Sequence, residues 1–266
     1  MQTLKPFLVL IFLVYTITAA AQDTTYFDKS WKQTIATNAA YFRTKTRNND
    51  LWQVTDHFLT GAPQMTGVYT DDSFHIQQGE FSWYSDKGII THQCTFQKGK
   101  EEGQESFYYP DGKLRVKGQN SNNKKTGEWR GYYQNGKLSG KAVYDTGRQV
   151  SGSFYNENGS RNKFVKEFER QAEYPGGPPQ FLRFLNKTLR YPDSAVVHET
   201  EGIVIVDFKV SKEGKVENPH VSQSVDKYLD EEALRVMRLM QDWIPAIFGG
   251  VTSDDFKRQP VVFHLR

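Results

Sequence analysis

Four stretches of this chain share one grammar. Trp83-Tyr84-Ser85-Asp86-Lys87-Gly88, Tyr108-Tyr109-Pro110-Asp111-Gly112-Lys113, Tyr132-Tyr133-Gln134-Asn135-Gly136-Lys137 and Phe154-Tyr155-Asn156-Glu157-Asn158-Gly159 each set aromatics ahead of a turn residue and a glycine. The glycines advance by about two dozen residues, and Gly79, Gly103 and Gly127 form a second series with the same step, a period that belongs to repeat architectures. Phe58-Leu59-Thr60-Gly61 reads as a worn earlier copy. Asp-Gly and Asn-Gly supply the positive φ angles of tight hairpin turns, and the flanking aromatics favour strands that pack across to their neighbours. A single hairpin cannot bury its apolar face, so each unit must stack on the next. At about 4.8 Å per strand and two strands per unit, five units extend roughly 50 Å, a rod or curved ribbon. Composition agrees: hydrophobic residues make up only 37% but aromatics 14%, with 21 glycines, which suits many short strands and turns better than one aliphatic core.

The glycine period stops near Ser160, and Ser160 to Glu173 gain charge instead; a short helix and a linker are both compatible with that stretch. Beyond it the pattern changes. Gly202-Ile-Val-Ile-Val-Asp-Phe-Lys-Val210 alternates, with Val204, Val206, Phe208 and Val210 on one face and Asp207 and Lys209 on the other, the signature of a half-buried strand. Phe181, Leu182, Phe184, Leu185 and Leu189 recur at helical spacing behind Pro178-Pro179, residues suited to a helix's first turn. Leu234, Met237 and Met240 lie three apart, along one face of a second helix, which the acids Asp230-Glu231-Glu232 are expected to open. The fold class expected is therefore mixed: an all-β repeat array of antiparallel hairpins, followed by a small α+β domain with helices on one face of a short antiparallel sheet.

These landmarks resemble two families. Tyr174-Pro175-Gly176-Gly177, Phe184-Leu185, Leu189-Arg190-Tyr191-Pro192, Gly202-Ile203-Val204, Phe208-Lys209-Val210, Glu213-Gly214-Lys215-Val216, Glu232-Ala233-Leu234, Trp243, Pro245-Ala246, Gly250 and Pro260-Val261-Val262-Phe263 stand in the order of a TonB C-terminal domain. The units from about Leu51 to Ser160 resemble the MORN-like repeats of the YwqK family, described as antitoxin components. The organisation expected is a signal peptide over 1–21, an N-terminal cap segment over 22–50 around Tyr26-Phe27-Asp28-Lys29-Ser30-Trp31, repeats over 51–160, a linker over 161–173 and the TonB-like domain over 174–266.

The start of the chain carries the address. Lys5 precedes the apolar run Phe7 to Tyr15, which ends in Ala19-Ala20-Ala21, and this combination describes a secretory signal cut after Ala21. The run is shorter than the ~20 apolar residues of a spanning helix, so an uncleaved inner-membrane anchor is the lesser alternative. No cysteine follows the signal, which excludes a lipoprotein. A periplasmic protein is expected, and export also argues against carrying over the cytosolic antitoxin role.

No catalytic constellation emerges. His57, His75, His92, His198, His220 and His264 are scattered without metal spacing, and the single cysteine, Cys94, leaves neither a disulfide nor a structural zinc site. Cys94 reads as a small strand residue, and the pairs Asp71-Asp72 and Asp254-Asp255 as solvated loop charge. A net charge of +3 from 34 basic and 31 acidic residues is not a nucleic-acid balance. The expectation is a non-enzyme without cofactor or metal.

Binding has better material. The final segment reads as a strand containing Pro260, which is tolerated only at an edge or a strand start, with Lys257 and Arg258 as charges that guard such an edge. An open edge accepts an extended peptide as an added strand. The TonB resemblance implies the same: a TonB box of an outer-membrane transporter docks on the last strand, here Gln259, Pro260, Val261, Val262, Phe263, His264 and Leu265, and on the polar-Tyr-Pro loop, here Arg190, Tyr191 and Pro192. Arg190 stands where the better-known proteins carry Gln. The partner implied is an outer-membrane TonB-dependent transporter or another envelope protein. Inner-membrane motor proteins are partners only if the N-terminus is an uncleaved anchor. The alternative is an envelope scaffold whose repeats and TonB-like domain bind other proteins without energy transduction.

Overall fold

The computed structural model describes residues 23–265; the signal sequence read over 1–21 lies outside them. No helix among the described residues is long and apolar enough to cross a membrane.

The N-terminal part is one antiparallel sheet of twelve strands. It opens with β1 (Asp23–Phe27), β2 (Gln33–Thr34), β3 (Tyr41–Asn48) and β4 (Leu51–Phe58), with a single 3₁₀ turn at Ala36–Asn38. It continues through β5 (Pro63–Tyr69), β6 (Gly79–Tyr84), β7 (Ile90–Gln97) and β8 (Lys100–Tyr108) to β9 (Leu114–Ser121), β10 (Lys124–Tyr132), β11 (Leu138–Asp145) and β12 (Arg148–Phe154). From β3 to β12 each strand pairs with the next in sequence. The segment expected to cap the repeats is woven into this sheet, contributing β1 to β3.

The repeat grammar is turn chemistry. Gly88, Gly112, Gly136 and Gly159 have φ of 74°, 81°, 81° and 85°. Their N–H groups reach back three residues, to the carbonyls of Ser85, Tyr109, Tyr133 and Asn156, as in a type I turn closed by a left-handed residue. Gly61 makes the same bond to Phe58, so the worn copy is a genuine unit. The opposite ends use two-residue loops with both residues at positive φ: Lys98-Gly99, Asn122-Asn123 and Thr146-Gly147. The aromatic pairs tie units together. The Tyr109 hydroxyl donates to the Tyr132 carbonyl and the Tyr133 hydroxyl to that of Tyr155, both at 2.7 Å.

The two faces of the sheet differ. Register aligns Asp56, Met65, Trp83, His92, Phe107, Val116, Gly131, Gly140 and Phe154 in one row across strands on the apolar face. His92 is stacked between Trp83 and Phe107 at 4.7 and 4.2 Å and bonded to buried Glu105 at 2.8 Å. The opposite face carries a polar row, from Thr44, Thr55 and Thr66 through Ser82, Gln93 and Ser106 to Lys117, Arg130 and Lys141.

After β12 the chain turns back over the apolar face. The stretch left open between helix and linker contains β13 (Glu169–Arg170) and no helix. Phe168 is fully buried against Tyr144, and its N–H is taken by Gln149 at 2.8 Å. The C-terminal domain then runs through α1 (Gly177–Thr188), α2 (Asp193–Val197), β14 (Gly202–Val210), β15 (Val216–Gln223) and α3 (Lys227–Arg238). It ends with β16 (Ala246–Phe248), β17 (Val251–Ser253) and β18 (Asp255–Phe263). Its main sheet has the order β15-β14-β18. Val204, Val206, Phe208, Val210, Val261 and Phe263 are buried with Leu229, Ala233, Val236 and Met237 of α3 on one face, while the other face stays open.

Two details depart from expectation. Helix α3 starts a turn earlier than the acids suggested, with Asp226 as its cap, accepting from the Leu229 N–H at 2.7 Å. Of the pair Asp254-Asp255, Asp254 is exposed in a loop, where it accepts from the Lys212 N–H, whereas Asp255 is half-buried at the start of β18 and accepts from the Ala172 N–H.

The hairpin β16–β17 joins the two parts. It pairs with β13 and sets Phe248 edge-on against Phe107 at 5.0 Å. Its turn, Gly249-Gly250, presses on Gly131 and Gly140, and Ser139 Oγ donates to the Gly249 carbonyl at 2.7 Å. The row that elsewhere carries Trp, His and Phe is bare at Gly131 because the hairpin's backbone occupies that space, and at Gly140 because the Phe154 ring does. A Cβ on Gly131 would lie 2.0 Å from the Gly249 oxygen.

Candidate functional site

β18 is an edge strand of unusual regularity. It pairs with β14 over nine consecutive residues, from Gly202↔Phe263 to Val210↔Asp255, without a register shift. The opposite edge, β15, has two register shifts and carries Asn218 at φ 51° followed by Pro219, features that blunt an edge against pairing. Among the described residues no other strand pairs with the outer side of β18. The linker reaches only its first residue, through the bond from Ala172 N–H to Asp255.

Pro260 keeps the ladder to β14 whole only where its backbone faces away from that strand. Gln259 Nε2 donates to the Pro260 carbonyl at 2.8 Å, in keeping with a carbonyl on the open side. By the alternation of an antiparallel pair, the N–H and C=O of Arg258 and Val262 face the same way. The free rim therefore offers donors and acceptors at Arg258 and Val262, with an acceptor alone between them.

Side chains alternate across the strand. Gln259, Val261 and Phe263 face the helices, and Val261 and Phe263 are buried. Phe256, Arg258, Pro260 and Val262 lie on the open face, where Phe256 is 80% and Val262 59% exposed. Arg258 is not a free guard of the edge. It forks onto Asp207 of β14 at 2.9 and 2.8 Å, and this bond holds the Asp207 carboxyl below the usual carboxylate range. A depression of about 640 Å³ opens beside this pair, between His220, Asn218 and Phe256.

The Tyr-Pro loop meets the end of this edge. The Tyr191 ring packs edge-on against Phe263 at 5.9 Å, and its hydroxyl donates to the Thr200 carbonyl at 2.6 Å. Pro192 precedes α2. Arg190 is exposed, and its backbone N–H donates to Glu232 at 2.7 Å. Burial pulls Glu232 toward protonation, but the two-pronged Arg235 contact and the Arg190 N–H outweigh it and hold the carboxyl below its ordinary range. Glu232, read from sequence as a helix-opening acid, thus positions the loop.

His264 and Leu265 correct the expectation. They lie past the end of β18 rather than in it, because Glu201 accepts from both the His264 ring and the Leu265 N–H. The other eight residues expected at the site come from two places that the fold makes adjacent. Sequence reading missed Phe256, since the strand begins at Asp255, two residues before the segment read from Lys257. Cys94 is buried on β7, where burial and then Glu101 and Glu105 push its thiol up to about 12. Among the described residues no three His, Cys, Asp or Glu side chains cluster to hold a metal.

Comparison with known proteins follows the same division. Residues 187–265 match the family model described as Gram-negative bacterial TonB protein C-terminal. Residues 101–123 and 125–146 match the MORN repeat variant. No curated protein sequence matches the chain significantly. Among solved structures, a chain of the crystal structure of the GtfA/B complex bound to UDP and GlcNAc aligns at 12% identity over 44% of this chain and 22% of that one. Its TM-score of 0.20 is too low to carry an argument.

Proposed function

We infer, from a chain that carries a TonB C-terminal domain behind MORN-variant repeats, that it is a non-catalytic envelope protein that takes up an extended peptide as a strand beside β18. The observation that carries this is the nine-residue, bulge-free free edge, with Tyr191 and Pro192 at its end. A TonB box-like segment of an outer-membrane transporter is the natural occupant in a periplasmic setting. Main-chain bonds at Arg258 and Val262 would supply affinity, and the depression beside Phe256, Asn218 and His220 would supply side-chain specificity.

The rim makes the reading testable. Val262→Pro removes an outward N–H while leaving the ladder to β14 intact. Val261→Pro removes an inward one and strikes the fold. Titration of the full chain with synthetic TonB-box peptides, followed through backbone amide shifts, is expected to move β18 signals in the wild type. The expected response of Val262→Pro is an unchanged melting temperature with binding lost. Unimpaired binding by a folded Val262→Pro protein would exclude strand addition at this edge.

A further inference from the structure

The outward face of the repeat sheet has a second kind of order that strand addition does not use. Tyr84, Tyr108 and Tyr132 occupy equivalent positions, each the last residue of an alternate strand and one before the turn tetrad. Two are tethered across the preceding strand: the Tyr84 hydroxyl to Thr66 Oγ1 at 3.2 Å and that of Tyr108 to Gln93 Oε1 at 2.8 Å. Thr66 pairs with Ser82, and Gln93 with Ser106, each two residues before its tyrosine. Both rings therefore lean diagonally over the sheet, held in place by their hydroxyls, and they are half-buried. The repeat places successive tyrosines two strands apart, about 10 Å, close to the length of two pyranose units.

Beside this row the polar ladder turns basic. Lys117, Arg130 and Lys141 are cross-strand neighbours on β9, β10 and β11, and Glu128 is the carboxylate that faces them, bonded to Arg130 at 2.5 Å. A depression of about 270 Å³ lies between Lys117, Gln104, Gln119, Glu128 and Arg130. Glu80 adds a second carboxylate to this face, bonded to Gln93 beside Tyr108, so three cations against two carboxylates leave a small positive excess next to the tyrosines.

We propose that this face binds an extended anionic polysaccharide lying across the strands, with alternate sugars on Tyr84, Tyr108 and Tyr132 and its carboxylates or phosphates at Lys117, Arg130 and Lys141. Rings fixed before binding lose little freedom when a sugar stacks on them, and an aromatic with a polar tip suits a ligand with both C–H and O–H surfaces. The charge count selects this class over two others. A protein that holds duplex nucleic acid through about six to ten phosphate contacts uses roughly two to three times the cations here. Attachment to an anionic bilayer draws on about four to eight basic residues or on inserted apolar side chains.

The test uses the full chain and three polymers: polygalacturonate, alginate and solubilised peptidoglycan strands. Affinity electrophoresis is expected to show retardation by at least one of them, weakening with salt. The double variant Lys117→Glu with Lys141→Glu, two surface changes compatible with the fold, is expected to bind about tenfold more weakly. Tyr108→Ala, with folding verified by circular dichroism, is expected to bind more weakly without losing salt dependence. No retardation by any of the three overturns the proposal, as does retardation that the charge reversal leaves unchanged. Tighter capture of phosphatidylglycerol vesicles or of a DNA duplex at matched salt also overturns it.

Discussion

Replacing Gly131 by Ala tests whether the two parts of this molecule act as one body. Gly131 has an ordinary negative φ, so its constraint is space alone. The added methyl would meet the oxygen, carbon and Cα of Gly249 at 2.0, 2.6 and 2.7 Å. All three are backbone atoms, and no rotamer change relieves them. Restoring ordinary contact requires the β16–β17 turn to withdraw by about 1.5 Å, enough to break the bond from Ser139 Oγ to Gly249. Ser139 is fully buried, so its unsatisfied hydroxyl costs about 1–3 kcal/mol. Partial loss of the Phe248–Phe107 contact adds about 0.5–1.5 kcal/mol. The expected total of about 2–4 kcal/mol falls on the core that the two parts share, where Phe168 and Phe248 pack with Val116, Trp129 and Phe154, and spares the C-terminal core and the core around Val54 and Phe81. Calorimetry of Gly131→Ala is then expected to resolve two unfolding transitions where the wild type shows one, and trypsin to cut sooner at Arg161, Lys163 and Lys166. Gly136→Ala is the control, since its Cβ would meet nothing within 4 Å but its φ of 81° imposes backbone strain. If Gly131→Ala behaves like that control, with one lowered transition and an uncut linker, the docking argument is refuted.

Three further outcomes follow from particular contacts. Asp226→Ala removes the cap of α3 and is expected to lower stability by about 1 kcal/mol, measured as a shift in urea midpoint without a change in slope. Glu232 has a folded pKa below its unfolded one, so its contribution is present above the unfolded carboxylate value of about 4.3 and lost as pH falls through the folded value. The stability gap between wild type and Glu232→Gln is accordingly expected to close below about pH 4, as followed by urea unfolding across pH. Cys94, raised from 9.0 to about 12, is expected to react with a thiol-disulfide reagent at pH 8 about a thousandfold more slowly in the folded chain than in urea.

What was legible in the sequence was whatever local chemistry decides. The periodic glycines marked one set of hairpin turns, because Gly takes the left-handed angle that closes them at no steric cost, whereas the opposite turns at Lys98-Gly99, Asn122-Asn123 and Thr146-Gly147 carried no common signature. The alternation from Val204 to Val210 marked the central strand, because each of its residues meets a side dictated by the pleat. The docking of the two parts was not legible. Gly131 looks like any strand glycine until the hairpin turn that needs its emptiness is in place. Phe168, which anchors the linker, is hidden among Lys163, Lys166, Glu167 and Glu169, whose charges suggest solvent. The start of α3 was misplaced by a turn because Lys227 and Tyr228 carry no apolar period, so Asp226 gave no sign of being its cap. At the candidate site, the strand and the Tyr-Pro loop were each readable, but the contact of Tyr191 with Phe263 depends on α2 and Thr200, which bring distant residues together.

The two edges of the C-terminal sheet are guarded unequally against pairing. An exposed strand edge invites aggregation, and folds ordinarily blunt both ends of a sheet. Here β15 has every such device: two register shifts, a residue at positive φ and a proline beside it. β18 has one proline and no register shift over nine residues, and its arginine is spent on Asp207 within the sheet rather than directed outward. The proline subtracts a single donor from the rim, which lowers the risk of pairing with any passing strand but leaves the flanking donors for a segment matched to that gap. An edge left open merely by accident would have no reason for its neighbour Tyr191 to be held in place by both Phe263 and Thr200. The asymmetry is therefore what the proposed strand addition at β18 requires.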